Sequence, residues 1–104
     1  MDEVFKALAD PSRRKILDIV RDHPGINVNE LSGHFKFSRF ATMKHLRILE
    51  EAKLILGKKE WKDKRLYINA VPIRMIYERW IRSYEGEWAA SLTNLKNLIE
   101  KDES

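Results

Sequence analysis

The chain is expected to be mainly α-helical with one small β-hairpin. Three observations predict this. Apolar residues recur three and four apart through most of its 104 residues. That period gives way to alternation only around residues 54–69. Helix-start signals stand ahead of the periodic stretches at Asp10-Pro11, Asn27 and Ser38. The length suits one domain, 1–104, with a modest core, and 43% hydrophobic residues argue against disorder.

Residues 2–9 read as a short helix with Val4, Phe5 and Leu8 on one side. Asp10 is a good N-cap, and Pro11 suits the first helical position, where its missing N–H costs nothing. Ile16, Leu17 and Val20, with Ile19, make the apolar face of a second helix ending near Asp22 before Pro24-Gly25. Asn27 and Glu30 have the spacing of a capping box, which predicts a third helix to about Phe35 with Leu31 and Phe35 facing inward. Lys36-Phe37 link it to a fourth helix, 38–52, capped by Ser38. Two short helices so joined make a helix-turn-helix.

The fourth helix has two stripes. Thr42, Leu46, Leu49 and Lys53 form one, mostly apolar and able to pack. Arg39, Phe40, Met43, Lys44 and Arg47 form the other, largely cationic and outward. A short basic helix of this kind fits the major groove of DNA; a merely solvated face is the alternative. Leu54–Trp61, a turn at Lys62-Asp63, and Lys64–Asn69 then read as a hairpin wing, 54–70, with Lys58, Lys59, Lys62, Lys64 and Arg65 towards its tip. Such lysines either follow a phosphate backbone or guard an exposed edge against aggregation.

From Pro72 to about Lys101 the pattern is helical again, through Ile73, Ile76, Tyr77, Trp80, Tyr84, Trp88, Leu92, Leu95 and Ile99. Thirty helical residues span about 45 Å, against a radius of gyration of about 13 Å for a domain of this size. The helix must protrude or break near Gly86. A protruding aromatic stripe implies an interface, so 1–9 and 72–101 are expected to be dimerisation helices. The dimer interface would comprise Val4, Phe5, Leu8, Tyr77, Trp80, Tyr84, Trp88, Leu92 and Leu95.

Charge placement supports a polyanion partner. Residues 36–65 hold ten Lys/Arg against four acids, a surplus of six positive charges, whereas the whole chain carries +4. There is no cysteine, hence no disulfide, thiolate metal site or cysteine nucleophile. No Gly-rich phosphate loop or clustered His/acid set is visible, and Ser12, Ser32 and Ser83 have no base at recognisable spacing, so an enzyme is not expected. No cofactor and no metal site is expected. The Met-Asp-Glu start is unlike a signal peptide and no apolar run is long enough to span a membrane, so a cytoplasmic location is expected.

The order of elements, with V-F-K-A-L-A-D-P-S-R-R-K-I-L at 4–17, N-E-L at 29–31 and K-H-L-R-I-L-E-E-A at 44–52, resembles the ArsR/SmtB family of winged-helix repressors. The Trp/Tyr-rich last helix is most similar to its metal-independent, SdpR-like members. The resemblance implies DNA contacts at Ser38, Arg39, Phe40, Met43, Lys44, His45 and Arg47, and at the basic wing. It implies a homodimer on a palindromic double-stranded operator, and repression. It names no inducer. Met43, Phe40 and Lys53 depart from the family pattern: serine, a small residue or proline, and glycine are usual there. The family's metal ligands have no counterpart, because no Cys lies near 29–36 and His23, His34 and His45 all precede the last helix. Glu78, Glu85 and Glu87 read as a solvated face. Two alternatives accompany this reading: an effector-gated repressor of the same fold, and a protein-interaction module with only non-specific DNA affinity.

Overall fold

The computed structural model describes residues 1–103, the side chains of 83, 85, 87–92 and 101–103 excepted. It comprises two compact units, Met1–Pro72 and Ile73–Ser104.

The first unit begins with helices α1 (Asp2–Leu8) and α2 (Pro11–Asp22). Asp10 joins them as expected: its Oδ1 accepts from the N–H groups of Ser12 (2.8 Å) and Arg13 (3.1 Å). The last carbonyls of α1, where helical bonding runs out, also accept from α2, although Lys6 O is bonded by the Ala9 N–H at 3.2 Å as well. Arg13 donates to Ala7 O at 2.8 Å and Lys6 O at 3.0 Å, and Arg14 to Leu8 O at 2.7 Å. A seven-residue helix too short to stand alone is thereby fixed to its neighbour.

Next come a two-residue strand, β1 (Ile26–Asn27), and helix α3 (Val28–Ser32). The capping box is present, with Glu30 N–H donating to Asn27 Oδ1 at 2.8 Å and Asn27 N–H to Glu30 Oε1 at 3.4 Å. The third helix stops at Ser32 rather than near Phe35. After Gly33 the chain tightens into single turns, with His34 N–H on Leu31 O and Phe35 N–H on Ser32 O. Leu31 is fully buried, but Phe35 is half-buried and stacks on Phe37, ring centroids 4.6 Å apart.

Helix α4 (Arg39–Glu51) is capped by Ser38, whose Oγ accepts from Ala41 N–H at 3.2 Å. Its buried stripe is Thr42, Leu46 and Leu49; the Thr42 hydroxyl donates to Ser38 O, so no polar atom there is orphaned. Lys53, expected on the same stripe, is exposed and lies past the helix end. It adopts φ 62, and the bonds Lys53 N–H to Glu50 O and Leu54 N–H to Leu49 O close the helix. A lysine thus occupies a left-handed position that glycine fills most cheaply.

Strands β2 (Ile55–Glu60) and β3 (Asp63–Ile68) form the hairpin, with Glu60 opposite Asp63 and Ile55 opposite Ile68. The turn is Trp61-Lys62, one residue earlier than expected, and Trp61 takes φ 57. β1 adds to the free side of β3, pairing Ile26 with Leu66 and Asn27 with Arg65, in the order β1-β3-β2. Ile16, Val20, Leu31, Leu46, Leu49, Leu54, Ile55 and Leu66 are the largest buried apolar side chains. They draw α2, α3, α4 and the sheet into one core that fixes the angle between α4 and the hairpin.

The second unit is helical. Helix α5 (Val71–Ile76) runs into a π-helical turn at Tyr77–Ile81 and then α6 (Arg82–Glu103). The helix does not break at Gly86; its irregularity is the π turn. Glu78 pairs with Arg74 (3.8 Å) and Arg82 (2.6 Å) at i,i+4 spacing, a solvated ion-pair face. Among the described residues no helix is long and apolar enough to cross a membrane.

Candidate nucleic-acid interface

α4 and the hairpin leave the core together, and a groove of about 370 Å³ lies between them, lined by Met43, Arg47, Glu50, Lys53 and Lys64 among others. A smaller one of about 180 Å³, towards α3, is lined by Asn29, Arg39, Met43 and Lys62 among others. The first turns of α4 project Phe40, 71% exposed, with the Lys44 ammonium 5.3 Å from its ring centroid. Arg47 is exposed one turn further on, and Met43 is half-buried between the two. The helix therefore offers two cations and two apolar side chains on one face. These chemistries suit base edges and thymine methyls in a major groove.

The other expected contact residues fall into two groups. Lys58, Lys59 and Lys62 are exposed along the hairpin; Lys58 meets Glu60 only at 3.9 Å, and Lys62 lies over the Trp61 ring. The rest are held by other parts of the chain. Ser38 is the helix cap. Arg39 Nε donates to Asn29 Oδ1 at 2.8 Å, tying the start of α4 to α3. His45 is half-buried, with Nδ1 3.4 Å from an Arg13 nitrogen and its ring 5.5 Å from Phe37. Lys64 reaches both oxygens of Glu50, at 2.7 and 2.8 Å. Arg65 donates to Gly25 O at 3.2 Å and faces Asp63 (3.4 Å), Glu30 (3.6 Å) and Glu60 (3.7 Å).

Lys64 reaches Glu50 because Gly57 lets it pass. A Cβ built on Gly57 would lie 2.3 Å from Lys64 Cε. The lysine stem crosses β2 over the bare glycine and ends on the last turn of α4. Glu50, Gly57 and Asn29 set the geometry of this face, and periodicity alone does not single them out. Trp61 is a further residue that the strand reading concealed: it stands at the hairpin tip and is 89% exposed. A large apolar residue between Lys59 and Lys62 was the available signal.

His34 stands beside His23, centroids 6.0 Å apart. Among the described residues no group of three or more His, Cys, Asp or Glu is placed to hold a metal ion.

Of the residues expected at a dimer interface, Val4 is buried within the chain and Leu8 and Tyr77 are half-buried. Phe5 (42%), Trp80 (43%), Tyr84 (61%) and Leu95 (55%) are exposed. The side chains of Trp88 and Leu92 lie outside the described residues.

Known proteins share this arrangement. Residues 10–55, from the Asp10 cap through α4 to the start of the hairpin, match the family model described as bacterial regulatory protein, arsR family. YuzN, an uncharacterized HTH-type transcriptional regulator of Bacillus subtilis (strain 168), is 34% identical over 86 residues, 77% of this chain and 94% of that protein. The transcriptional repressor SdpR of the same organism is 40% identical over 55 residues, 53% of this chain and 60% of the repressor. The crystal structure of an ArsR family transcriptional regulator superposes with a TM-score of 0.70 at 30% identity, covering 85% of this chain and 89% of that one. With its helix-turn-helix, its hairpin wing and these relatives, the chain belongs to the ArsR family of winged helix-turn-helix transcriptional regulators.

Proposed function

We propose that the chain is a sequence-specific repressor that binds a palindromic operator as a homodimer and performs no chemistry of its own. The observation that carries this is the outward face of α4, where Phe40, Met43, Lys44 and Arg47 stand together beside a hairpin bearing Lys58, Lys59 and Lys62. α4 lies in the major groove, and Arg47 and Lys44 read base edges while Phe40 and Met43 meet thymine methyls. The wing lysines contact phosphates, which fix register without reading sequence. Ser38, Arg39 and His45 sit where α4 meets the backbone. Lys64 and Arg65 reach DNA only by leaving their carboxylates, and otherwise brace the wing against α4 and α3.

Dimerisation is supported by the exposed Trp80, Tyr84 and Leu95 of the second unit and, separately, by the exposed Phe5 of α1, since exposed large apolar side chains mark interaction surfaces. A two-fold dimer presents two copies of α4 to half-sites about one helical turn apart. Occupation of a promoter by such a dimer excludes other proteins from it, and repression follows from position alone. Selection of bound sequences from random duplex DNA tests the proposal. A palindromic consensus is expected; absence of enrichment leaves a protein-interaction module on this fold.

A further inference from the structure

Trp61 combines two unfavourable features. Its side chain is 89% exposed, and its φ of 57 lies in the left-handed region that disfavours every residue with a Cβ. Gly or Asn is what a two-residue hairpin turn favours at such a position. Among the described residues the ring is approached by the Lys62 ammonium, 5.4 Å from its centroid, which leaves most of it in solvent. Backbone outliers of this kind cluster at ligand sites; Lys53 takes the same region to close α4, whereas the exposed ring of Trp61 has no packing role among the described residues to account for it. The ring also stands at the end of a hairpin whose Lys58, Lys59 and Lys62 are exposed. The matching partner presents an apolar or π surface beside dense negative charge. Phosphates alone would be served by the lysines and give the ring nothing to do. A DNA minor groove supplies both: sugar walls and base edges inside, phosphates on each rim, and steps that an apolar side chain can part.

We propose that Trp61 is a wedge that the wing inserts into the minor groove beside the half-site read by α4, with Lys59 and Lys62 on the flanking phosphates. The inference rests on the DNA-binding reading above. It carries a consequence for specificity. Parting a base step is easiest at flexible pyrimidine–purine steps, so the operator gains a preference at a position that α4 never touches.

Trp61→Gly, which the turn geometry favours, tests the wedge, with Trp61→Phe as the conservative variant and Lys59→Ala as the electrostatic comparison. Affinity for the selected operator is measured by fluorescence anisotropy across a salt series. Trp61→Gly should weaken binding about tenfold or more, the scale of one aromatic–base stack. Its salt slope should equal the parent's, because no counterion is released by a neutral ring. Its thermal midpoint should be unchanged or raised, and preference at the flanking step should disappear. Trp61→Phe should keep most of the affinity. Lys59→Ala should make the slope shallower by about 0.9 for each phosphate that the lysine neutralises.

Parent-like affinity in Trp61→Gly overturns the wedge, as does a lowered thermal midpoint, which would place the ring in the chain's own packing. Loss of binding to phosphatidylserine vesicles with operator affinity intact also overturns it, and assigns the ring to a membrane surface. A parent that enriches no sequence at all overturns the DNA reading itself, which separates the two failures.

Discussion

The path of Lys64 over Gly57 makes a quantitative prediction about how the wing is held to α4. Adding a methyl at Gly57 places a Cβ 2.3 Å from Lys64 Cε. That distance cannot be tolerated, and the cheapest relief is for the lysine stem to swing away from Glu50. Two effects then oppose each other. Replacing glycine inside a strand by alanine is favourable by about 0.5–1 kcal/mol. Losing the ion pair is unfavourable by about 1 kcal/mol, the upper end for a surface pair, because both oxygens are engaged and the side chains are only 39% and 28% exposed. Gly57→Ala should therefore change stability by less than about 0.5 kcal/mol in the parent. In a Lys64→Ala background, with the pair already gone, the same change should stabilise by about 0.5–1 kcal/mol. Urea denaturation of the four proteins in this cycle should give a coupling energy of up to about 1 kcal/mol. If Gly57→Ala has the same effect with and without Lys64, to within about 0.3 kcal/mol, the lysine does not depend on the glycine for its reach and the bracing argument fails.

Three other perturbations follow from local geometry. Lys53→Gly should raise stability by about 0.5–1 kcal/mol, since relief of the left-handed backbone exceeds glycine's entropic penalty; a lower urea midpoint would contradict this. Asp10→Ala should lower stability by about 1 kcal/mol through loss of the α2 cap. Burial pushes the Asp10 carboxyl up, but the N–H groups of Arg13 and Ser12 and the Arg13 charge outweigh it and hold the carboxyl below its ordinary value. Its contribution is therefore present above the unfolded value near 3.9 and is lost as pH falls through the lower folded value. The stability gap between parent and variant should shrink in that acid window and stay constant above it. Trp80→Ala/Tyr84→Ala should give a folded monomer by light scattering at micromolar concentration; a variant that stays dimeric would move the interface elsewhere.

The fold was legible wherever its signal is local. Asp10, the Asn27/Glu30 pair and Ser38 cap helices because each side chain accepts from N–H groups two or three residues away, and the spacing is written in the chain. What was not legible is set by distant partners. β1 is two residues long, too short to alternate, and is a strand because Gly25 N–H reaches Leu66 O at 2.8 Å and Ile26 aligns with Leu66. The hairpin turn fell one residue early because tryptophan favours strands in composition, while the ladder register placed it in the bend. Gly86 leaves the helix intact because one glycine weakens a long helix by only about 1 kcal/mol. The outward face of α4 was legible from period alone; its bracing by Glu50, Gly57 and Asn29 was not.

Charge shows the difference most sharply. Counting residues puts eight cations in the expected contact set: Arg39, Lys44, Arg47, Lys58, Lys59, Lys62, Lys64 and Arg65. The structure divides them. Arg39 is bonded to Asn29, a neutral amide that leaves its charge uncompensated, whereas Lys64 is bonded to Glu50 and Arg65 is ringed by Glu30, Glu60 and Asp63. Each carboxylate that holds a cation must be abandoned, still charged, if that cation turns to a phosphate, so the exchange gains little. Six cations per protomer remain better placed. For a dimer the slope of log affinity against log salt should then be about −11 rather than the −14 or so that the full count implies. A slope near −14 would mean that Lys64 and Arg65 leave their carboxylates on binding, and that the brace is a feature of the free protein alone.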